Sequence, residues 1–501
     1  METRGMARLM DVMNDHQTDE DAQERLKVHH RQTLWVYWTL VVLGLWLLVA
    51  PFSLGYLTES NWVRPSGGRG VWWSDSTHDA LRAHLMTGSD LMSGTLLIIF
   101  GTRTLRPNRP VSLWICCVVG MWLVMAPVFF WAPTATAFHN GSIVGILTIA
   151  LSILIPGMPN MMNFMQHGPG RPPGWSYNPS TWAQRWILIA TGLAGFLVSR
   201  HLAMFQLGYI DQIWEPFFEE GSVQVLNSEM SHSWPISDAG LGTISYTFEF
   251  LMGYMGSPKR WRTMPWMVAF FGVLVVPLGL THILLVLSQP VVVGSWCTLC
   301  LLAAGIMLPM IPLEVDEVVA MAQHLMQAKR RGDRDGSLWE VFWKGGKADG
   351  CEEDERSLAL VDMSERPLAV FKSMVWGVSV PWTLACASLI GVWLTLQPAF
   401  LGSPRDATGP GLLHFGATDI FHLVGALVVV TSVISMGEVL RAGRFLNVPL
   451  ALLVAIAPWC FPSSTILGSG LGTCSGIAIL LLSFPRGVVK ERYGKWQRWI
   501  F

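Results

Sequence analysis

Residues 264–312 decide the fold class of this chain, and they read MPWMVAFFGVLVVPLGLTHILLVLSQPVVVGSWCTLCLLAAGIMLPMIP. The stretch contains no Asp, Glu, Lys or Arg. It holds two apolar runs, 264–287 and 294–312, and each is long enough to cross the hydrocarbon core of a bilayer. We therefore expect two membrane-spanning helices that are joined by the short uncharged loop 288–293.

The same pattern recurs along the 501 residues, of which 51% are hydrophobic and only 14% charged. Soluble proteins carry about 25% charged residues. The high apolar content excludes intrinsic disorder. Eight Cys in 501 residues are too few for a disulfide-stapled secreted domain. The net charge of −1, without a basic face, argues against a nucleic-acid-binding protein. The sequence predicts an all-α polytopic membrane protein with about twelve transmembrane helices, at roughly 34–52, 85–101, 112–131, 141–157, 186–207, 237–255, 264–287, 294–312, 377–400, 419–437, 446–461 and 467–484.

The basic residues predict the orientation of these helices. Lys and Arg follow the second, sixth, eighth and tenth helices and fill the C-terminal tail, whereas the loop 208–236 carries five acidic residues and no basic one. Because cytoplasmic loops are enriched in Lys and Arg, we expect both termini in the cytoplasm. The chain would then be a multi-pass protein of the cell inner membrane, and the lipid bilayer would be one of its partners.

Three helices repeat a pattern in which a Gly-x-Trp is followed by Pro, seven residues after the Gly. The pattern begins at Gly44, Gly120 and Gly391. Glycine permits close helix packing and proline ends a span, so the pattern is typical of helical hairpins. It resembles the SPW-repeat membrane family, of whose Ser-Pro-Trp only Pro458-Trp459 is kept here, and this resemblance implies membrane hairpins with no known chemistry.

The sharpest chemical motif is Ser295-Trp296-Cys297-Thr298-Leu299-Cys300. Cysteines three apart on a helix share a face with Cβ atoms about 5–6 Å apart, which is compatible with a disulfide. A helix N-terminus stabilises a thiolate, and the predicted topology puts this end outside the cytoplasm, where a dithiol can be oxidised. Two inert core thiols remain the alternative. No second ligand pair stands at metal spacing, so no metal is expected.

Residues 186–312 resemble the vitamin K epoxide reductase family. They share four helices, a long extracytoplasmic loop after the first, and Cys-x-x-Cys at the start of the fourth. Val225-Leu226-Asn227-Ser228, Gly242 and Tyr246 resemble the family's loop and second helix. The resemblance implies a central four-helix bundle that is a membrane quinone oxidoreductase, with ubiquinone or menaquinone as electron acceptor. The resemblance also implies that Cys300 is the cysteine on the quinone side. Cys297 would then undergo thiol–disulfide exchange with the loop or with a partner.

Two positions depart from that family. The loop 208–236 lacks the family's second cysteine pair, and Ser222 stands about where one cysteine is expected. Ala304 replaces a family tyrosine. Either an external thioredoxin-like thiol protein reaches Cys297 directly, or the redox function is lost. The alternative function is a non-redox membrane scaffold or transport protein on a degenerate reductase-like fold.

Ionisable residues at membrane depth are costly and usually functional. Arg200, Glu249 and His282 are therefore candidates for quinone binding or proton handling, together with Tyr246 and with Asp238, which falls where the family has an Asn. The competing interpretation is structural: an internal ion pair, for example Arg200 with Glu249, and a satisfied core histidine at 282.

The predicted domain organisation follows from these segments. Residues 314–331 form an amphipathic pattern that suggests a helix on the cytoplasmic membrane surface. Cys460 and Cys474 flank the last extracytoplasmic turn and could pair, and Cys351 lies in a polar linker. The order is a cytoplasmic tail (1–32), a hairpin pair (33–160), a cytoplasmic linker (161–185), the reductase-like domain with the surface helix (186–331), a cytoplasmic linker (332–376), a hairpin pair (377–485) and a basic cytoplasmic tail (486–501).

Overall fold

The architecture comes from a computed structural model, in which the described residues form helices joined by loops. The structure describes residues 24, 27–65, 78–156, 170–233, 235–332, 337–346, 352–357, 360–401, 416–461 and 465–500. Within these ranges there is no β-strand, only isolated bridges. The chain forms two compact units, one of residues 1–64 and 72–162 and one of residues 65–71 and 163–501. Cys351 and most of the N-terminal tail lie outside the described residues.

Among the described residues, four long helices belong to the first unit and the other helices to the second. In the first they are α1 (Leu34–Ser53), α2 (Asp79–Thr104), α3 (Pro110–Phe129) and α4 (Ala135–Leu154). In the second they are α5 (Trp182–Gln206), α6 (Gly221–Leu226), α7 (Asp238–Tyr254), α8 (Arg260–Thr263), α9 (Pro265–Val292), α10 (Thr298–Arg331), α11 (Leu338–Lys344), α12 (Pro367–Ser373), α13 (Trp382–Leu401), α14 (Ala417–Ile434), α15 (Asn447–Ile456) and α16 (Ile466–Ser483). Short 3-10 turns, Glu438–Leu446 and Ala457–Cys460, extend α15 at both ends.

The all-helical membrane fold class is confirmed, but the count of twelve spans is not. Ten helices of the described chain are long and apolar enough to cross a membrane. The other two predicted spans are α7, which has 17 residues, and α13, whose apolar part is the shorter segment Trp382–Pro398. Seventeen residues rise only about 25 Å, which is less than a typical hydrocarbon core of about 30 Å.

The glycines of the repeated pattern are the points where the helices of a hairpin touch. A Cβ built on any of them would lie within 3.0 Å of a carbonyl oxygen of the neighbouring helix. Such an approach is possible only without a side chain. The three pairs are Gly44 with Gly94 (2.8 Å), Gly120 with Gly145 (3.0 Å) and Gly391 with Gly425 (2.7 Å). The pattern therefore has a packing role.

The tryptophans of the same pattern join the two hairpins of the first unit reciprocally. Trp46 of α1 donates to Asn140 of α4 (2.8 Å), and Trp122 of α3 donates to Ser89 of α2 (2.9 Å). Ser89 and Asn140 occupy equivalent positions, five residues before Gly94 and Gly145. The two hairpins thus meet with approximate internal symmetry, as a repeated sequence should.

A bundle of α5, α7, α9 and α10 forms the centre of the second unit. Helix α5 packs closely against α7 and α10, and α9 packs against α10. The C-terminal hairpins belong to the same unit, and α14 lies against both α9 and α10. Through this contact the ring of His422 comes within 6.3 Å of the ring of Trp296, next to the cysteine motif.

Residues 314–331 differ from the expected surface helix, because α10 is continuous from Thr298 to Arg331. Its Glu314, Asp316 and Glu317 are buried. Glu317 accepts two hydrogen bonds from Arg260 (2.6 and 2.5 Å). Tyr177 donates to Asp316. Asp316 and Glu317 face the protein because polar partners from preceding segments meet them there, and this cannot be read from the helical pattern alone.

Candidate functional site

The structure joins Cys297 and Cys300 in a disulfide at the start of α10. Cys297 is the N-cap residue and Cys300 lies in the first turn, with their Cα atoms 5.2 Å apart. The N–H of Cys300 donates to the sulfur of Cys297 (3.1 Å), and the N–H of Cys297 donates to Gln289 (3.3 Å). Cys297 is 0% exposed and Cys300 is 7% exposed. The disulfide is therefore formed but shielded.

The loop between α5 and α7 packs against the residues that immediately precede Cys297. Gly221, the first residue of α6, lies so close to the motif that a Cβ there would be 2.2 Å from the carbonyl oxygen of Trp296. Ser295 donates to Gln224 of the same short helix. Because only glycine permits this approach, the loop and the motif form one packed surface.

Glu215 connects the loop to the first turn of α10. Its carboxylate accepts from the N–H of Thr298 (3.0 Å) and from the hydroxyls of Thr298 and Ser222. Burial opposes ionisation of Glu215, but these hydrogen bonds outweigh it and lower its pKa to about 2. Glu215 is thus a charged cap at the N-terminus of the Cys-x-x-Cys helix.

Tyr246 connects three helices about one turn beyond the disulfide. Its hydroxyl donates to the carbonyl oxygen of Ala303, three residues after Cys300 (2.8 Å). Its fully buried ring fills the space beside Gly195 of α5, where a Cβ would lie 2.3 Å from a ring atom. The ring of His282, from α9, packs edge-on at 6.2 Å. The structure therefore brings Tyr246 and His282 together near the cysteines.

Glu249 lies one helical turn from Tyr246 on α7. It is fully buried, and neither carboxylate oxygen has a hydrogen-bond partner among the residues that the structure describes. The structural interpretation, an ion pair between Glu249 and Arg200, is therefore wrong. The Arg200 guanidinium instead lies over the ring of Phe196, 5.6 Å from its centroid.

Asp238 belongs to a different group of residues. It opens α7 and accepts from the hydroxyl of Ser231 (2.9 Å) and from the N–H of Ala239 (2.7 Å). Asp238 and Tyr246 are eight residues apart, about 12 Å along a helix. The candidate residues therefore fall into two places, Asp238 at the loop end of α7 and Tyr246, Glu249 and His282 deeper in the bundle.

Two contributions to the site were not anticipated from the sequence. Glu215 was counted only as one of five acidic loop residues, and its contact with Thr298 joins positions 83 apart. His422 comes from a hairpin outside the central domain. Their residue types gave no signal, because both contacts arise from how distant segments pack.

The other cysteines that the structure describes are not bonded to one another. Cys460 and Cys474 are both free and exposed, so the structure does not pair them. Within the described part of the chain, no group of three or more His, Cys, Asp or Glu side chains could hold a metal ion.

Comparison with known proteins gives one match. Neither the curated proteins nor the solved structures contain a match to the chain. The family models show no SPW repeat, so that resemblance stays a prediction. The matched segment covers about a quarter of the chain, from α5 through the Cys-x-x-Cys motif into the first half of α10. Residues 186–315 match the model of the vitamin K epoxide reductase family, which confirms the resemblance seen in the sequence.

Proposed function

We propose that the central bundle is a membrane thiol–quinone oxidoreductase that works through Cys297 and Cys300. The observation that carries this proposal is the disulfide at the first turn of α10, with the Tyr246 hydroxyl bonded one turn further along the same helix. It lies inside the segment that matches the reductase family. A disulfide of two inert core thiols would need no such neighbours.

In this proposal the two cysteines carry two electrons from a reducing dithiol to a quinone. Oxidation of both thiols to the Cys297–Cys300 disulfide releases two electrons and two protons, which a quinone takes up to become a hydroquinone. A dithiol then reduces the disulfide by attack at Cys297, through a mixed disulfide, and leaves as a disulfide itself. The family resemblance assigns Cys300 to the quinone side.

The residues around Tyr246 fit a quinone because they offer polar atoms in an apolar bundle. The Tyr246 hydroxyl already donates its one hydrogen bond to the carbonyl oxygen of Ala303, so the donor to a quinone carbonyl must be another group. His282 is one candidate donor. Glu249, when protonated, is the other, and its two orphaned oxygens are the groups that a polar ligand would satisfy. Ubiquinone and menaquinone both present such carbonyls.

The reductant in this proposal is an external protein. The loop 208–236 contains no cysteine, so electrons cannot pass along the chain to Cys297. A thioredoxin-like dithiol protein outside the cytoplasm would supply them, with the motif at the extracytoplasmic end of α10 and both termini in the cytoplasm of a cell with an inner membrane. The cysteine-free loop equally favours the alternative function, a non-redox scaffold or transport protein on the same bundle.

The test compares cysteine variants of the full-length protein in proteoliposomes. Dithiothreitol serves as reductant, a short-chain ubiquinone or menaquinone as acceptor, and quinone loss is followed by absorbance. Cys297→Ser and Cys300→Ser should each abolish turnover, whereas Cys386→Ser, at a free cysteine of α13, should retain it. Turnover above the uncatalysed rate that survives loss of both motif cysteines would overturn the proposal, and so would its absence from the unchanged protein.

A further inference from the structure

The strongest contact between the loop and the motif is made by one side chain. Glu215 accepts from Thr298 through both the backbone N–H (3.0 Å) and the hydroxyl. It also accepts from the N–H groups of Phe217 (3.3 Å) and Phe218 (3.2 Å), which fix the carboxylate within its own loop. Hydrogen bonds to an ionised carboxylate are about twice as strong as neutral ones. We call Glu215, Ser222 and Thr298 the latch.

Ser222 has a defined place in the latch. It is fully buried and donates to Glu215. Its position is about where the family resemblance predicts a loop cysteine, and a hydroxyl cannot carry electrons. In this chain the position instead supports Glu215, the residue that contacts α10.

The latch lies directly beside Cys297. Cys297 is 0% exposed, and the loop contacts both of its neighbours in the chain, Trp296 at Gly221 and Thr298 at Glu215. Thiol–disulfide exchange requires the attacking thiolate to approach the sulfur directly. A sulfur as buried as that of Cys297 cannot be attacked in this way, so exchange there requires a local movement of the protein.

We propose that Glu215 is a positioning residue that latches the 208–236 loop onto the first turn of α10, so that a reducing dithiol reaches Cys297 only when this contact opens. This inference rests on the proposed function, because it specifies how the external reductant gains access. When the latch opens, a thiolate of the dithiol bonds to the Cys297 sulfur and the Cys297–Cys300 bond breaks, which frees Cys300 as a thiolate. The second thiol of the reductant then displaces Cys297 and closes the reductant's own disulfide.

The experiment measures how fast the disulfide of the full-length protein in proteoliposomes is reduced by dithiothreitol. Samples are quenched with a mass-tag maleimide, in a background where the free cysteines are replaced by Ser. Glu215→Ala should be reduced about tenfold faster or more, in line with the loss of a charge-assisted hydrogen bond. Thr298→Val should show a smaller increase, because the backbone N–H bond remains. Glu229→Gln, at an exposed acid of the same loop, is the control and should match the unchanged protein.

If Glu215→Ala and Glu229→Gln are reduced at equal rates, Glu215 does not act as a latch. The proposal is also overturned if only the control is reduced faster than the unchanged protein. If Glu215→Ala does not fold, Glu215→Gln keeps the shape, removes the charge and is expected to give a smaller acceleration. Its rate then decides in the same way. Adding a short-chain quinone to the reduced samples separates the two proposals. If quinone reoxidises the cysteines but Glu215→Ala is reduced no faster than the control, only the latch is contradicted. If Glu215→Ala is reduced faster but quinone does not reoxidise the cysteines, only the oxidoreductase is contradicted.

Discussion

Replacing Gly195 by Ala tests the convergence of α5, α7 and α10 at Tyr246. The added Cβ would lie 2.3, 2.4 and 2.6 Å from three ring atoms of Tyr246, whereas carbon atoms in contact prefer about 3.5–4.0 Å. The ring must therefore move by about 1 Å. It is fully buried and its hydroxyl is bonded to Ala303, so the movement strains the packing and weakens that bond.

The expected cost follows from these terms. Overpacking a buried site costs about 1–3 kcal/mol, and losing the hydrogen bond costs about 1 kcal/mol. Alanine in place of glycine within a helix returns about 1 kcal/mol. We expect Gly195→Ala to lower the free energy of unfolding by about 1–3 kcal/mol, and to slow quinone-dependent reoxidation of the cysteines.

The assay is denaturant unfolding of the protein in detergent micelles, with Gly305→Ala as matched control. Gly305 is an exposed glycine of α10, and a Cβ there would have no heavy atom within 4 Å. The control should be neutral or stabilising. Pairing Gly195→Ala with Tyr246→Ala should remove the overlap, so that the two costs are not additive. A Gly195→Ala variant as stable as Gly305→Ala would refute the convergence of the three helices on Tyr246.

Three further predictions concern other parts of the fold. Arg260→Met leaves Glu317 buried without its cation, so the free energy of unfolding in denaturant titrations should fall by about 3–5 kcal/mol, and a loss under about 1 kcal/mol would contradict the pair. Because hydrogen bonds lower the pKa of Glu215 from 4.5 to about 2, its contribution to stability should be complete above pH 4.5 and lost as pH falls towards 2. The melting temperatures of the unchanged protein and Glu215→Gln should accordingly converge on acidification, and divergence would contradict this. Gly391→Val places a Cβ 2.7 Å from a carbonyl oxygen of α14, so it should destabilise the protein by about 1–3 kcal/mol in thermal unfolding. Gly470→Val is the control, because a Cβ there meets nothing within 4 Å. Equal effects of the two substitutions would contradict the hairpin contact.

The helices could be predicted because their signal is local. An apolar run such as 264–287 has no stable place in water, so its sequence alone predicts a helix in a bilayer. The Cys297–Cys300 disulfide is equally local, since it joins the N-cap residue of α10 to a residue of the first turn, three positions later. The seven-residue Gly-to-Pro spacing also gave a correct packing role for Gly44, Gly120 and Gly391.

The rest of the site depends on contacts between distant segments. The helical pattern of 314–331 reads as a surface helix, and only the position of Arg260 shows why Glu317 is buried. Charge alone suggested pairing Glu249 with Arg200, because opposite charges at membrane depth usually pair. In the structure Arg200 lies over Phe196, one turn earlier on its own helix, and Glu249 has no hydrogen-bond partner among the described residues. No sequence spacing could reveal that Glu215 meets Thr298, which requires the loop to fold back over α10.

The central claim is that Cys297 and Cys300 exchange electrons with a quinone. The most direct test is their redox state in native membranes, read by alkylating free thiols with a mass-tag maleimide before and after reduction, with and without added quinone. We expect a disulfide that re-forms after reduction only when quinone is present. Thiols that stay free and do not respond to quinone would contradict the account and leave a reductase-like bundle with another use in the membrane.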